Sequence, residues 1–435
     1  WNISDQHRAS LRYGRTEGSI LRTPGIGATT LSFSDYWYTD NLTNESWTTQ
    51  LYSDWNEIFS TEVSVAYSEY NSVPQLRTIA PSVQVRVGSD SIFLGTERSR
   101  QANRLETESL TGFASGNLFL GDHEVKFGLD YKKIDIFNLF LQDAFGTYEF
   151  ASIADFQNNA RPSAFRSQFP AVAGQPLDSV AADWDIANVG LFVQDTWSVN
   201  ANLTVNYGVR VDYVDIGNQP ALNPAFAAAP LPPAAPNLGS PRGGFGIPNN
   251  TTIDGAKVVQ PRVGFNYTFD ADRPTQLRGG VGLFTGSSPN VWLSNSFSNT
   301  GILASGFNLT GTAVPADLRF VRDVTQQPRP TGTPPTPNVD LIDPDFKQPT
   351  VWKATLAFEH ELPWYGLVAS AELLRTETKD NLFYQHLNLG TPVGRLPDGR
   401  LHFWGNVNQS AFTNPFNTAV ANGSRRPNRN RGFGD

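Results

Sequence analysis

The 435-residue chain contains no cysteine and no methionine. Without cysteine there is no disulfide framework, no thiol nucleophile and no zinc site built on thiolates. Without methionine, Trp1 is not a translation start, and no leader-like stretch precedes it. The chain is expected to be a mature product or a fragment; a fragment fits better, because Asn2 already sits at the lip of a strand-like run. Long hydrophobic runs are missing as well. None approaches the roughly 18 residues of a spanning helix, and the most apolar-looking stretch, Ala221 to Pro236, is broken repeatedly by proline. A mean hydropathy of -0.33 thus excludes a helical membrane protein. It does not exclude a membrane barrel, whose strands offer only every second residue to lipid. Positive charge is in short supply too. A net charge of -8 argues against nucleic acid as a partner, since phosphate binding requires a basic face. The one basic cluster, Arg425, Arg426, Arg429 and Arg431, reads as solvated loop.

Enzyme signatures are equally scarce. The five histidines (His7, His123, His360, His386 and His402) are scattered, and none has an HExxH partner. There is no GxSxG, Walker loop or GxGxxG. The nearest glycine cluster, Gly243-Gly244-Phe245-Gly246, lies in a proline-rich loop with no helix to follow. Asp340, Asp343 and Asp345 do not match the spacing of a calcium loop, and Pro344 sits among them, so they read as loop solvation. Triplets such as Asn308-Leu309-Thr310 read as loop composition. The expectation is no catalytic residue, no metal and no cofactor.

What is present is a rhythm. Gly190 to Trp197 is a strand-length run that stops at Val199-Asn200-Ala201-Asn202, and the chain then alternates through Leu203, Val205, Tyr207, Val209, Val211 and Tyr213. Thr204, Asn206, Gly208, Arg210 and Asp212 interleave with them. A period of two puts one set on each face of a strand. The same pattern recurs as a first strand at about 6–17 and hairpins at about 47–70, 105–137, 186–214, 263–284 and 351–379. Their turns are short: Asn56-Glu57, Gly121-Asp122, Asp270–Pro274 and Pro363–Gly366. Between hairpins lie long polar stretches, one carrying Tyr36-Trp37-Tyr38. About eleven strands result. Loops so long and without internal structure argue against a compact soluble domain, whereas short turns at one end and long loops at the other mark an outer-membrane barrel.

Aromatic residues gather at the short-turn ends: Trp55, Phe119, Trp197, Phe269 and Trp364. Rings at one level on successive strands suit an interfacial girdle. On the opposite face, Arg12, Arg210, Asp212, Arg262 and Arg278 are expected to face the lumen, as ligand contacts or as wall-to-wall salt bridges. Gly128, Gly208, Gly264, Gly280 and Gly282 fall on the same side, where they either leave room for something packed inside or serve curvature.

The stretch Gly190-Leu191-Phe192-Val193-Gln194-Asp195-Thr196-Trp197, with Asn202 to Tyr213 after it, resembles a hairpin common to TonB-dependent receptors. Pro261 to Tyr267 and Leu277 to Phe284 look like the hairpin that follows it. Asp343-Pro344-Asp345-Phe346-Lys347-Gln348-Pro349, running on to Trp352, is similar to the Oar-like branch, as is His123 to Tyr131. The resemblance implies a 22-stranded all-β transmembrane antiparallel barrel in the Gram-negative cell outer membrane, plugged by a globular domain. It also implies a nutrient ligand bound by extracellular loops and energy supplied by TonB through that plug. The chain departs from the pattern: residues 1–435 read as a partial barrel with the plug and the closing strands absent. The loops 215–258 and 286–348 are the candidates for ligand contact on length alone. Two other readings stay open: a passive porin-like or adhesin barrel, and a secreted all-β carbohydrate-binding protein.

Overall fold

In the computed structural model, eleven strands of 11 to 19 residues hydrogen-bond in chain order into one antiparallel sheet. The residues described are 1–227, 248–331, 334 and 338–384, with 394, 395, 399, 401 and 402. The strands are β1 (His7–Arg22), β2 (Tyr38–Asn56), β3 (Phe59–Leu76), β4 (Asn103–Leu120), β5 (His123–Phe140) and β6 (Ala182–Ser198). They continue with β7 (Leu203–Ile216), β8 (Lys257–Thr268), β9 (Thr275–Thr285), β10 (Thr350–Glu361) and β11 (Val368–Asp380). Among the described residues the sheet is open between β1 and β11. The strand count matches the rhythm of the sequence, but most strands run several residues further toward the long connections than alternation suggests.

The turns explain themselves. Gly121 and Gly366 take positive φ, +63° and +66°, which glycine tolerates without strain. The Asn200 side chain accepts hydrogen bonds from the backbone N–H of Asn202 and Leu203, at 2.9 and 3.0 Å, and so closes its turn locally.

Alternation gives the sheet one apolar and one polar face. The apolar face exposes Leu11, Val63, Val65, Phe127, Leu129, Leu191, Val209 and Val263 to the surroundings. Apart from Asp195 on β6, it carries no Asp, Glu, Lys or Arg side chain from the short-turn end up to a belt of charges that on β5 also includes Lys133. Arg15, Glu45, Glu69, Glu108, Asp135 and Asp185 form that boundary and lie in one register row across β1 to β6. On β7 the apolar stretch runs from Leu203 to Tyr213 and on β5 from His123 to Tyr131. A strand tilted by roughly 45° needs about 9–11 residues to cross bilayer hydrocarbon, and these stretches have that length.

The long connections are not structureless, contrary to the expectation from their length. Thr30–Ser32, Ser82–Val87, Asp90–Leu94, Thr147–Phe150, Ala164–Pro170 and Ala304–Thr310 form a second, six-stranded sheet from four different loops. Its core is aromatic: Tyr148, Phe150 and Phe165 are fully buried, with Phe156 and Phe320 against them. A separate cluster joins loop to strand. Ile136, Trp184, Ile186, Val214 and Ile216 carry the polar-face positions into the long-loop end, where they pack on Leu293 and Phe297 of the helix Asn290–Ser298. There the alternation continues, but with hydrophobic residues on the face that is polar below.

Candidate functional site

The chemistry of the sheet lies on its polar face. Asp130, Gly190 and Asp212 stand side by side on β5, β6 and β7. The Arg210 guanidinium lies across Gly190. Its Nη2 donates to Asp130 Oδ1 at 2.9 Å and to Asp212 Oδ1 at 2.6 Å, its Nε donates to Asp212 Oδ1 at 2.9 Å, and its Nη1 pairs with Asp130 Oδ2. Only glycine fits beneath, because a methyl group there would overlap the guanidinium. Gln260 on β8, almost fully buried, donates to Asp212, while its Oε1 accepts from Thr285 N–H at 3.0 Å and from Arg262 Nη2 at 3.4 Å. One charged network thus ties β5, β7 and β8 across the glycine of β6 and reaches the end of β9.

The five cations and anions singled out in the sequence all sit on this face, but the structure brings together only Arg210, Asp212 and, through Gln260, Arg262. Arg210 and Asp212 form the network just described. Arg278 pairs separately with Glu359 of β10 at 2.8 Å. Arg262 has no carboxylate partner among the described residues; its guanidinium lies 4.7 Å from the Phe284 ring centroid. Arg12 stands on β1 opposite Thr48, exposed and without an ion pair among the described residues.

Of the aromatic residues, Trp55, Trp197 and Phe269 lie at the short-turn end of the apolar face. Trp55 meets His7 edge-on at 5.1 Å, Trp197 stacks on His123 at 5.5 Å, and Phe269 meets Tyr267 at 4.8 Å. Trp364 is exposed in the turn before β11. Phe119 departs from the expected girdle: its register partner is Glu124, which puts it on the polar face, and Leu118 takes the outward place. Alternation through Leu110, Ala114 and Leu118 on the outward face fixes that phase.

The profile of the outer membrane beta barrel domain family matches residues 1–434. The chain belongs to this family. It is accordingly a barrel domain of the Gram-negative cell outer membrane and not an enzyme. The outer membrane transporter YddB from Escherichia coli shares the fold, with a TM-score of 0.55 and 11% identity over 87% of this chain and 39% of that one. A ferric enterobactin receptor from Pseudomonas aeruginosa aligns at a TM-score of 0.45 and 12% identity, over 88% of this chain and 41% of that one. The barrel domain therefore spans less than half the length of these structures. No curated protein matches it in sequence.

Besides Asp130, Gln260 and Lys353 on the polar face, sequence reasoning missed one polar group on the apolar face of the barrel domain. Asp195 lies on the apolar face, buried between its neighbours. Its Oδ2 accepts from the Tyr207 hydroxyl at 2.6 Å and meets His123 Nδ1 at 2.7 Å. An outward carboxylate breaks the alternation of Leu191, Val193 and Trp197, and that break was the available signal. The aspartates at 340, 343 and 345 form no metal-binding group among the described residues. Asp340 accepts from Asn299 Nδ2 at 2.7 Å, and Asp343 accepts from the backbone of Asp345 at 2.8 Å. Both Gly243 to Gly246 and the basic cluster at Arg425 to Arg431 lie outside the described residues.

Proposed function

We propose that the barrel domain belongs to a TonB-dependent transporter of the Oar-like branch, which binds a nutrient at its long-loop end and imports it with TonB-supplied energy through a plug. In this reading the apolar face meets lipid, with Trp55, Trp197 and Phe269 at the periplasmic interface. The polar face, with Arg12, Arg210, Asp212, Arg262 and Arg278, lines the lumen. The observation that carries the reading is the cap: helix Asn290–Ser298 and the loop residues Ile253 and Ile342 pack onto the polar face at the long-loop end. A passive channel needs that mouth open, whereas a receptor needs a built surface there. Asn299 and Asp340, in the 286–348 connection, are tied together at the same end, which supports this loop as part of the ligand surface.

The test is uptake by the full-length gene product in a Gram-negative host supplied with peptide, glycan and chelated-iron nutrients. Uptake that stops when TonB is deleted or the proton-motive force collapsed supports the reading. Uptake indifferent to both, scaling only with the external gradient, would overturn it in favour of a passive porin.

A further inference from the structure

Two rows of the polar face are built alike with opposite charge. In the first, two carboxylates, Asp130 and Asp212, flank Gly190, and the Arg210 cation lies over the glycine between them. In the second, two cations, Arg262 and Lys353, flank Gly282 on β8, β9 and β10. Two strand spacings separate the cations, roughly 10 Å between backbones. Both border the same ring: Phe284 lies 4.7 Å from the Arg262 guanidinium carbon and 5.9 Å from Lys353 Nζ.

The second row opens on a hollow of about 300 Å³. Its floor is glycine. A Cβ at Gly208 would come within 2.6 Å of the Val193 carbonyl oxygen, and one at Gly280 within 2.9 Å of that of Val263. Neutral polar groups, Asn206 and Thr355, stand in the next register row across Gly264 and Gly280. No carboxylate of the described residues forms an ion pair with Arg262 or Lys353. A few residues nearer the short turns, by contrast, Arg278 is neutralised by Glu359.

We propose that the Arg262–Gly282–Lys353 row is a binding subsite for a small anion bearing a carboxylate or phosphate group. Arg262 supplies a planar fork and Lys353 a point charge, a pairing that suits a bidentate oxyanion. Phe284 offers apolar surface to the carbon skeleton behind the charge. The proposal rests on the polar face lining the lumen, and it does not depend on energised import.

Amine acylation in isolated outer membranes carrying the full-length protein tests it, with modification read at each lysine by peptide mass spectrometry. The probes are citrate and inorganic phosphate, each against chloride at equal ionic strength. Lys132, also on the polar face, has no acidic partner among the described residues and serves as the control. Lys353 should react roughly fivefold or more slowly with at least one probe present, Lys132 should be unaffected, and Arg262→Gln should abolish the protection. Which probe protects identifies the oxyanion. Reaction of Lys132 with no protection of Lys353 overturns the subsite alone. If Lys353 is inert with or without probe while Lys132 reacts, another part of the protein fills the hollow, and the subsite is again overturned. Failure of both lysines to react with a water-soluble reagent would overturn the lumen reading itself.

Discussion

At the scale of single residues, the polar network makes a sharp statement about Gly190. Alanine there displaces the Arg210 guanidinium and leaves Asp130 and Asp212 flanking the gap as like charges. Arg210→Gln leaves the same pair uncompensated without adding bulk. Each side chain is less than about a third exposed, so the loss is expected at about 2 kcal/mol, below that of a fully buried pair. Both variants should unfold at lower urea in gel-shift titrations of the membrane-extracted protein, and Gly190→Ala combined with Arg210→Gln should cost little more than either alone. Additive losses would show that the glycine and the arginine act separately. Asp195 gives the converse case. Tyr207→Phe removes one of its two partners on the apolar face and should lower the urea midpoint. Asp195→Leu removes the demand altogether and should be neutral or stabilising by the same titration.

Elements show how far the sequence was legible and where it stopped. Alternation from Leu203 to Tyr213 located β7 almost to the residue, because one face had to be apolar throughout and a slip of one position would have reversed every side chain. It failed at the upper ends of the strands, where Trp184, Ile186, Val214 and Ile216 turn the polar face hydrophobic to receive the loops. There the pattern depends on partners far away in sequence. The six-stranded loop sheet was invisible for the same reason: Thr147–Phe150 pairs with Ser82–Val87 in parallel, and Ala164–Pro170 with Ala304–Thr310. Segments of four to seven residues carry too short a period to declare themselves. That sheet makes its own prediction. Burial pushes the Tyr36 phenol up to about 12, and burial also raises Tyr148. The folded loops favour the neutral phenols, so this contribution is fully present below the ordinary value near 10 and is lost as pH climbs from there through about 12. Absorbance titration of tyrosinate should show Tyr36 and Tyr148 among the phenols that lag, with the loop sheet loosening over that window. Titration of every tyrosine near pH 10 with the fold intact would contradict the buried core.

For the whole molecule, the outward boundary of charge sets the membrane position, and the lack of cysteine makes it directly measurable. Any single introduced cysteine is the only thiol in the chain. Glu69→Cys and Asp215→Cys lie above the apolar band, Val63→Cys, Phe127→Cys and Val209→Cys lie within it, and Ser64→Cys, beside Val63, and Asn206→Cys, nearer the short turns, lie on the polar face. A water-soluble maleimide applied to outer membranes should label the first pair readily and leave the second group unlabelled until detergent is added. The third pair should label as far as lumen contents allow, since those side chains meet water rather than hydrocarbon. The comparison that decides is between Val63 and Ser64. They are adjacent in sequence and equal in height, so only the face they occupy can separate them. Labelling of Val63→Cys with shielding of Ser64→Cys would mean that the sheet is turned inside out relative to the bilayer. The Arg210 network would then face lipid, where a bare ion triad is too costly to persist.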